Sequence, residues 1–186
     1  MASISFRENY SMGVEEFYCS HGSQYRNPHE ADLKRVLPKA LERWKDSVNF
    51  SAVLDMACGS GEVSLILEEW CLKNSIPCSV EASDPFTFEA YEKRMARSCG
   101  RFSFEDIDRG VLQDRAFSLI VCCYAMHLVP SSRLFSVSQQ MSFISPHLLI
   151  ITPHKKPDIS TAMGWELIDE ILIDKIRMRL YRSLHN

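Results

Sequence analysis

From residue 50 onward, short apolar runs alternate with stretches whose apolar positions recur every three or four residues, the mark of strands alternating with helices. The run 51–56 (SAVLDM) predicts a strand, followed by a glycine turn and an amphipathic helix over 62–73. A second strand is expected over 78–82, and a second helix over 85–98 that Gly100 would terminate. Further strands are expected over 101–104, 117–123 and 147–152, with a helix over 132–143 between the last two. This alternation implies an α/β domain, a parallel sheet with helices on both faces. The near-continuous apolar run FSLIVCCYA suits a strand buried on both sides.

Ahead of this core, residues 1–27 are polar, with scattered aromatics (Phe17, Tyr18, Tyr25) and two glycines (Gly13, Gly22), and describe an arm. Asn27-Pro28-His29-Glu30 carries the chemistry of a helix start: Asn27 as N-cap, Pro28 in the first turn, Glu30 reaching back. Leu33, Leu37, Leu41 and Trp44 then recur at helical spacing, although Pro38 is expected to kink or restart that helix. The tail supports two readings. Ile168, Leu172, Ile176, Leu180 and Leu184 sit four apart, as on a helix. A hairpin about Asp174-Lys175 would instead pair Ile171 with Met178 and Glu170 with Arg179.

Composition narrows the class. A chain of 186 residues with 46% hydrophobic and 24% charged residues is ordinary globular material for one domain. No apolar run approaches the ~18 residues of a membrane span, and MASISFRENYS has no signal-peptide core, so a cytoplasmic or nuclear protein with no membrane partner is expected. Seven cysteines without any Cys-x-x-Cys pair point to reduced thiols, not to a disulfide framework or a structural zinc site. A formal charge of −3 gives no general affinity for nucleic acid. Lys155-Lys156 after the 147–152 strand, and the basic residues of the tail, are the local exceptions; nearby acids would neutralise the latter.

The most informative stretch is Val53-Leu-Asp-Met-Ala-Cys-Gly-Ser-Gly61. Small residues let the backbone approach a ligand, and the N-terminus of the following helix offers unpaired N–H donors. Gly-x-Gly alone is equally a plain strand-to-helix turn. A dinucleotide fingerprint is not matched, because Ser64 stands where its third glycine belongs. Asp55 also argues against a pyrophosphate and for a cationic group such as an ammonium. Asp84 closes the second strand, where an acid can hold ribose hydroxyls, although Asp84-Pro85 is also a good helix start. Glu105-Asp106 closes the third. Three acidic positions thus fall at three successive strand ends on one edge of the sheet.

VLDMACGSGEVSL resembles the signature of class I S-adenosylmethionine-dependent methyltransferases, with Ala at the first glycine position, and the resemblance continues through SVEASDP, FSFEDI and FSLIVCCYAMHLV. It covers roughly residues 50–152, and the order and spacing of the motifs carry it. The resemblance implies a doubly wound, seven-stranded, mostly parallel sheet ending in an antiparallel pair, which favours the hairpin for 165–182. It implies S-adenosyl-L-methionine as cofactor and no metal. Asp55, Ala57, Gly59 and Gly61 would then bracket the methionine moiety and Asp84 the ribose. Asp106 would take the adenine amino group with Ile107 beside the ring, and Cys123 and Tyr124 would line the floor near the methyl group. In many members the N-terminal segment covers the cofactor, so the motif Tyr18…His21-Gly22…Tyr25-Arg26 offers Arg26 for the methionine carboxylate. The whole chain is then one methyltransferase domain, with 1–49 as helical arm or lid and 50–186 as cofactor-binding core.

A sulfonium carries an activated methyl group, so such a protein must align a nucleophile in line with the S–CH3 bond and exclude water. A base is needed only for a neutral hydroxyl or a protonated amine. His127 has the suitable ordinary pKa, and Tyr124 shapes the pocket beside it. No Asp/Asn-Pro-Pro-Tyr follows the fourth strand, unlike the methylases of adenine N6 or glutamine amides. A small or partly apolar acceptor is the first reading. An RNA or protein methyltransferase, with or without a partner protein, and a non-catalytic cofactor-binding scaffold stand beside it.

Overall fold

The structure is a computed structural model and describes residues 22–186; Gly13, Phe17, Tyr18 and His21 of the arm lie outside the described residues. Its elements in chain order are α1 (Glu30–Trp44), β1 (Val53–Met56), α2 (Glu62–Lys73), β2 (Val80–Ser83), α3 (Phe88–Met95), α4 (Phe104–Asp108), β3 (Leu119–Cys123), α5 (Ser131–Ile144), β4 (His147–Thr152), β5 (Trp165–Ile173) and β6 (Ile176–Ser183). They form one six-stranded sheet in the order β2-β1-β3-β4-β6-β5. The first four are parallel, and β6 pairs antiparallel with both β4 and β5. Among the described residues no helix is long and apolar enough to cross a membrane.

Period-two alternation divides the core. Val53, Leu119, Val121, Leu149 and Ile151 face one side and pack with the apolar faces of α1 and α2. Leu54, Met56, Ile120, Cys122, Leu148 and Ile150 face the other and pack with α5, Trp165 and Tyr181. Each fully buried Leu or Ile contributes about 1.5–3 kcal/mol, so the two layers hold the short strands together. α1 belongs to this core: Leu33, Val36, Leu37, Ala40, Leu41 and Trp44 are all buried. The second half of the expected 1–49 arm is therefore a structural layer and not a cover.

Several expectations are corrected. No third strand forms over 101–104, so among the described residues the sheet has six strands where seven were expected. Only an isolated parallel bridge joins Ser83 to Gly100. Phe102 N donates to Ser83 Oγ, outside any backbone ladder. Ser103 and Asp106 then form a reciprocal capping box that starts α4. That box satisfies first-turn donors locally and removes the backbone from the sheet edge. Asn27 does not cap α1. Its Oδ1 accepts from His29 N, and the helix begins at Glu30. Glu30 pairs with Lys34 and Arg94 and does not reach back. α1 also continues through Pro38, whose cost of ~3 kcal/mol is offset by the buried face around it. α3 ends at Ala96, in the left-handed region at φ 52, ahead of Gly100.

The tail is the hairpin, with Ile171 opposite Met178 and Glu170 opposite Arg179. Asp174 and Lys175 both take positive φ, 50 and 68, as a type I′ turn requires.

Candidate functional site

The strand order reverses direction on either side of β1, which lies between β2 and β3. Chains leaving the carboxyl ends of these strands diverge to opposite faces and open a crevice there. In that crevice lies a cavity of about 140 Å3, lined among others by Tyr25, Ala57, Gly59, Asp84, Phe102, Phe104, Glu105, Cys123 and Tyr124.

The loop between β1 and α2 forms its first wall. Ala57, Gly59 and Gly61 have φ of 54, 59 and 88. The left-handed conformation favours glycine, so Ala57 holds it at a steric cost. A Cβ on Gly59 would lie 2.8 Å from Cε1 of the Tyr25 ring, so the absence of a side chain lets residues 22–25 settle against the loop. A Cβ on Gly61 would instead meet Met95 and Tyr91 at 3.0 Å. Gly61 thus serves the packing of α2 against α3 and does not line the cavity.

Asp84 ties the loop to the second wall. Its Oδ2 accepts from Gly59 N at 3.2 Å, and its Oδ1 accepts from Phe86 N and Thr87 N at 2.9 Å each. Thr87 Oγ1 completes the tie by donating to Gly59 O at 2.9 Å. A carboxylate has about four lone-pair positions, so three backbone donors leave one for a ligand. Asp84 is nearly buried yet lines the cavity, as its place at the end of β2 predicts.

Asp55 lies beneath the loop. It is fully buried, and its Oδ2 accepts from Ser64 N at 3.0 Å and Ser64 Oγ at 2.6 Å, so it anchors the first turn of α2. Its Oδ1 has no partner among the described residues. Burial pushes its pKa up to about 7, against the Ser64 hydrogen bonds that lower it and with help from Glu62 and Asp84. Glu62, also buried, accepts from Ser60 N and from Asn27 N, both at 3.1 Å, and pairs with Arg94 at 3.2 Å. Arg94 in turn holds Glu30, so one partly buried network joins the loop, the chain ahead of α1, and α3.

The floor is Cys123 and Tyr124. Burial raises the Cys123 thiol well above its ordinary range and raises the Tyr124 phenol, so neither ionises near neutrality. Tyr124 sits at φ 56, a strained position for an aromatic residue, and stacks on His29 with ring centroids 5.0 Å apart. The remaining residues expected at the site lie elsewhere. Asp106 is engaged by Ser103 N and Oγ, and Ile107 is buried in the core cluster under α5; neither lines the cavity. Arg26 is exposed and outside the lining. His127, also exposed, stands on the rim with its ring 4.9 Å from that of His154. Partial desolvation of its ring and the neighbouring His154 lower its pKa.

Sequence reasoning missed Tyr25, Glu62, Thr87, Phe102 and Phe104. Ser103-x-x-Asp106 could have been found as a capping box. The five missed residues carry no local signal, because only the fold brings them to one edge. Cys58, within the loop, lies 3.6 Å from Cys99, Sγ to Sγ, and the described cysteines are free thiols. No cluster of metal-ligating side chains forms among the described residues.

No protein-family model matches the chain. A protein of the fission yeast Schizosaccharomyces pombe, uncharacterized protein C17A5.05c, is 33% identical over 200 aligned positions, which cover 89% of this chain and 81% of that one. Among solved structures, magnesium protoporphyrin IX methyltransferase of Synechocystis, crystallised with bound S-adenosylmethionine, superposes with a TM-score of 0.60 at 13% identity, over 98% of this chain and 99% of the other. A ribosomal protein L11 methylase of Lactobacillus delbrueckii gives 0.58 at 17% identity, over 87% and 82%. At such identities the likeness is one of fold. The chain belongs to the same family as the fission-yeast protein, and its fold is that of the class I S-adenosylmethionine-dependent methyltransferases.

Proposed function

We propose that this protein is an S-adenosyl-L-methionine-dependent methyltransferase acting on a small or partly apolar acceptor. The observation that carries this is one cavity at the sheet's switch point, walled by the Ala57–Gly59 loop and Asp84 and floored by Cys123 and Tyr124. Those residues fit the cofactor on two counts. Asp55 Oδ1, a buried acceptor without a partner among the described residues, lies beneath the loop that would bracket the methionine end. Asp84 keeps lone-pair capacity toward the ribose. The adenine wall falls to Phe102, Ser103, Phe104 and Glu105, since Asp106 and Ile107 point into the cap and the core. Gly61 and Asp55 support the loop from behind, and Arg26 would need to turn inward to meet a carboxylate.

When bound, the cofactor supplies a methyl group already activated by its sulfonium. The chain's own task is geometric. Tyr124, held at positive φ and braced by His29, fixes the floor against which a nucleophile aligns. Met56, Phe102, Phe104 and Leu128 keep the cavity wall apolar and exclude water. His127 on the rim is the proton acceptor for an acceptor that must lose a proton; its lowered pKa keeps it neutral at physiological pH. The covering role falls to residues 22–29, with Tyr25 against Gly59, because α1 is part of the core.

Two measurements test the reading. Calorimetric titration with S-adenosylmethionine should give saturable binding, and Asp84→Ala should weaken it by at least about tenfold, since it loses a charged acceptor and three loop ties together. Well-folded protein that binds no cofactor would sink the assignment. Labelled methyl transfer into an extract lacking the protein then separates the readings: label in small molecules supports this one, label in RNA or protein supports the macromolecular alternative, and binding without transfer supports a scaffold.

A further inference from the structure

The rim beyond Tyr124 carries a feature that the cofactor cavity does not use. Cys123 pairs with Ile151 in the sheet, and Tyr124 N donates to Ile151 O at 2.8 Å. The segments after β3 and β4 therefore leave the sheet side by side at the mouth of the cavity. The first brings His127, and the second brings His154, Lys155 and Lys156, all exposed. The two imidazoles meet edge to face at 4.9 Å. Lys155 and Lys156 form no ion pair among the described residues, whereas Arg177, Arg179 and Arg182 on the adjoining hairpin are each answered by Glu170 or Glu166.

The loop that presents these groups is fixed from behind. Arg179 is buried; its guanidinium donates to the carbonyls of Lys155 and Pro157, and Glu170 meets its charge at 2.7 Å. His154 N donates to Thr152 Oγ1 at 3.1 Å, setting the turn out of β4. The backbone is thus held in place while the two lysine side chains are exposed. The nearest acids in the chain or at the cavity are Asp158, exposed two residues beyond Lys156, and Glu105, which lines the cavity, while Asp32 pairs with Arg35. In a chain of formal charge −3, the adjacent lysines and the two imidazoles make a local basic cluster beside the proposed site.

We propose that His127, His154, Lys155 and Lys156 form an anion seat, and that the methyl acceptor is a small molecule whose carboxylate or phosphate docks there while its body enters the cavity beside Tyr124. The proposal rests on the methyltransferase reading above and names its substrate class. The lysines attract the anion, and each imidazole donates a ring N–H to it, which leaves the other nitrogen of His127 free to accept a proton.

The test uses the full chain saturated with S-adenosylhomocysteine and follows the imidazole Cε1–H signals by NMR. Inorganic phosphate, and separately acetate, should shift His127 and His154 saturably while His185 stays still. The arm that binds more tightly identifies the anion. A double variant, Lys155→Ala with Lys156→Ala, should keep S-adenosylhomocysteine affinity and weaken the anion by at least about fivefold. Shifts no larger than those from chloride at matched ionic strength, or unchanged affinity in the double variant, overturn the seat. For the occupant, small molecules from an extract are split by anion exchange before labelling. Transfer into the retained fraction is expected, and transfer confined to the flow-through, to RNA or to protein overturns the substrate class. Failure to bind S-adenosylhomocysteine would instead refute the cofactor reading, a result that calorimetry distinguishes from loss of the seat.

Discussion

At the scale of single residues, the carboxylates at the strand ends have separate tasks despite their shared chemistry. Asp84 faces the cavity and gathers three backbone donors, whereas Asp55 is fully buried with one oxygen unpartnered. Desolvation raises the Asp55 pKa from an ordinary 3.8 to about 7. In the window between these values the folded chain holds a proton that the unfolded chain has lost. This contribution to stability is therefore present at low pH and lost as pH rises toward about 7. Asp55→Asn should flatten that decline, read as the urea midpoint across the same pH range. Gly61 gives a second residue-scale test. With φ +88 and a Cβ position 3.0 Å from Tyr91 and Met95, Gly61→Ala should cost about 1–3 kcal/mol of unfolding free energy. None of this could be read from VLDMACGSG alone, because a glycine against a helix and a glycine against a ligand are spelled alike.

At the scale of elements, the local pattern was legible wherever one physical effect dominated. The helix over 62–73 and the strand over 147–152 stand where periodicity put them, since apolar spacing and burial agree. The hairpin register followed from cross-strand chemistry, Ile171 with Met178 and Glu170 with Arg179. Its turn is held against local preference, because Lys175 adopts φ 68 without being glycine. Lys175→Gly should relieve about 1 kcal/mol and raise Tm by roughly 2–4 °C while leaving the Arg35–Asp174 pair in place. The segment 101–104 failed as a strand because two short-range signals competed. Phe102 and Phe104 suit a strand, but Ser103 and Asp106 satisfy each other in a helical turn. At a sheet edge the ladder offers bonds on one side only, so the capping box prevails.

At the scale of the whole molecule, the parallel sheet and its reversal of strand order create the crevice, and residues far apart in the chain become one site. Binding there should stabilise the entire fold. S-adenosylhomocysteine at a hundred times its Kd adds about 2.7 kcal/mol, which for a chain of this size raises Tm by roughly 5–10 °C, and Asp84→Ala should remove most of that rise. The sequence by itself determined the alternation of strands and helices, the glycine loop and the strand-end acids, because these depend on residues near one another in the chain. The tertiary structure alone decided that Tyr25 covers Gly59, that Glu62 and Arg94 lock the loop to α3, that Asp106 and Ile107 turn away from the cavity, and that His127 meets His154. Those outcomes depend on where separate strands end in space and on which buried charges find partners, and no local spacing encodes either.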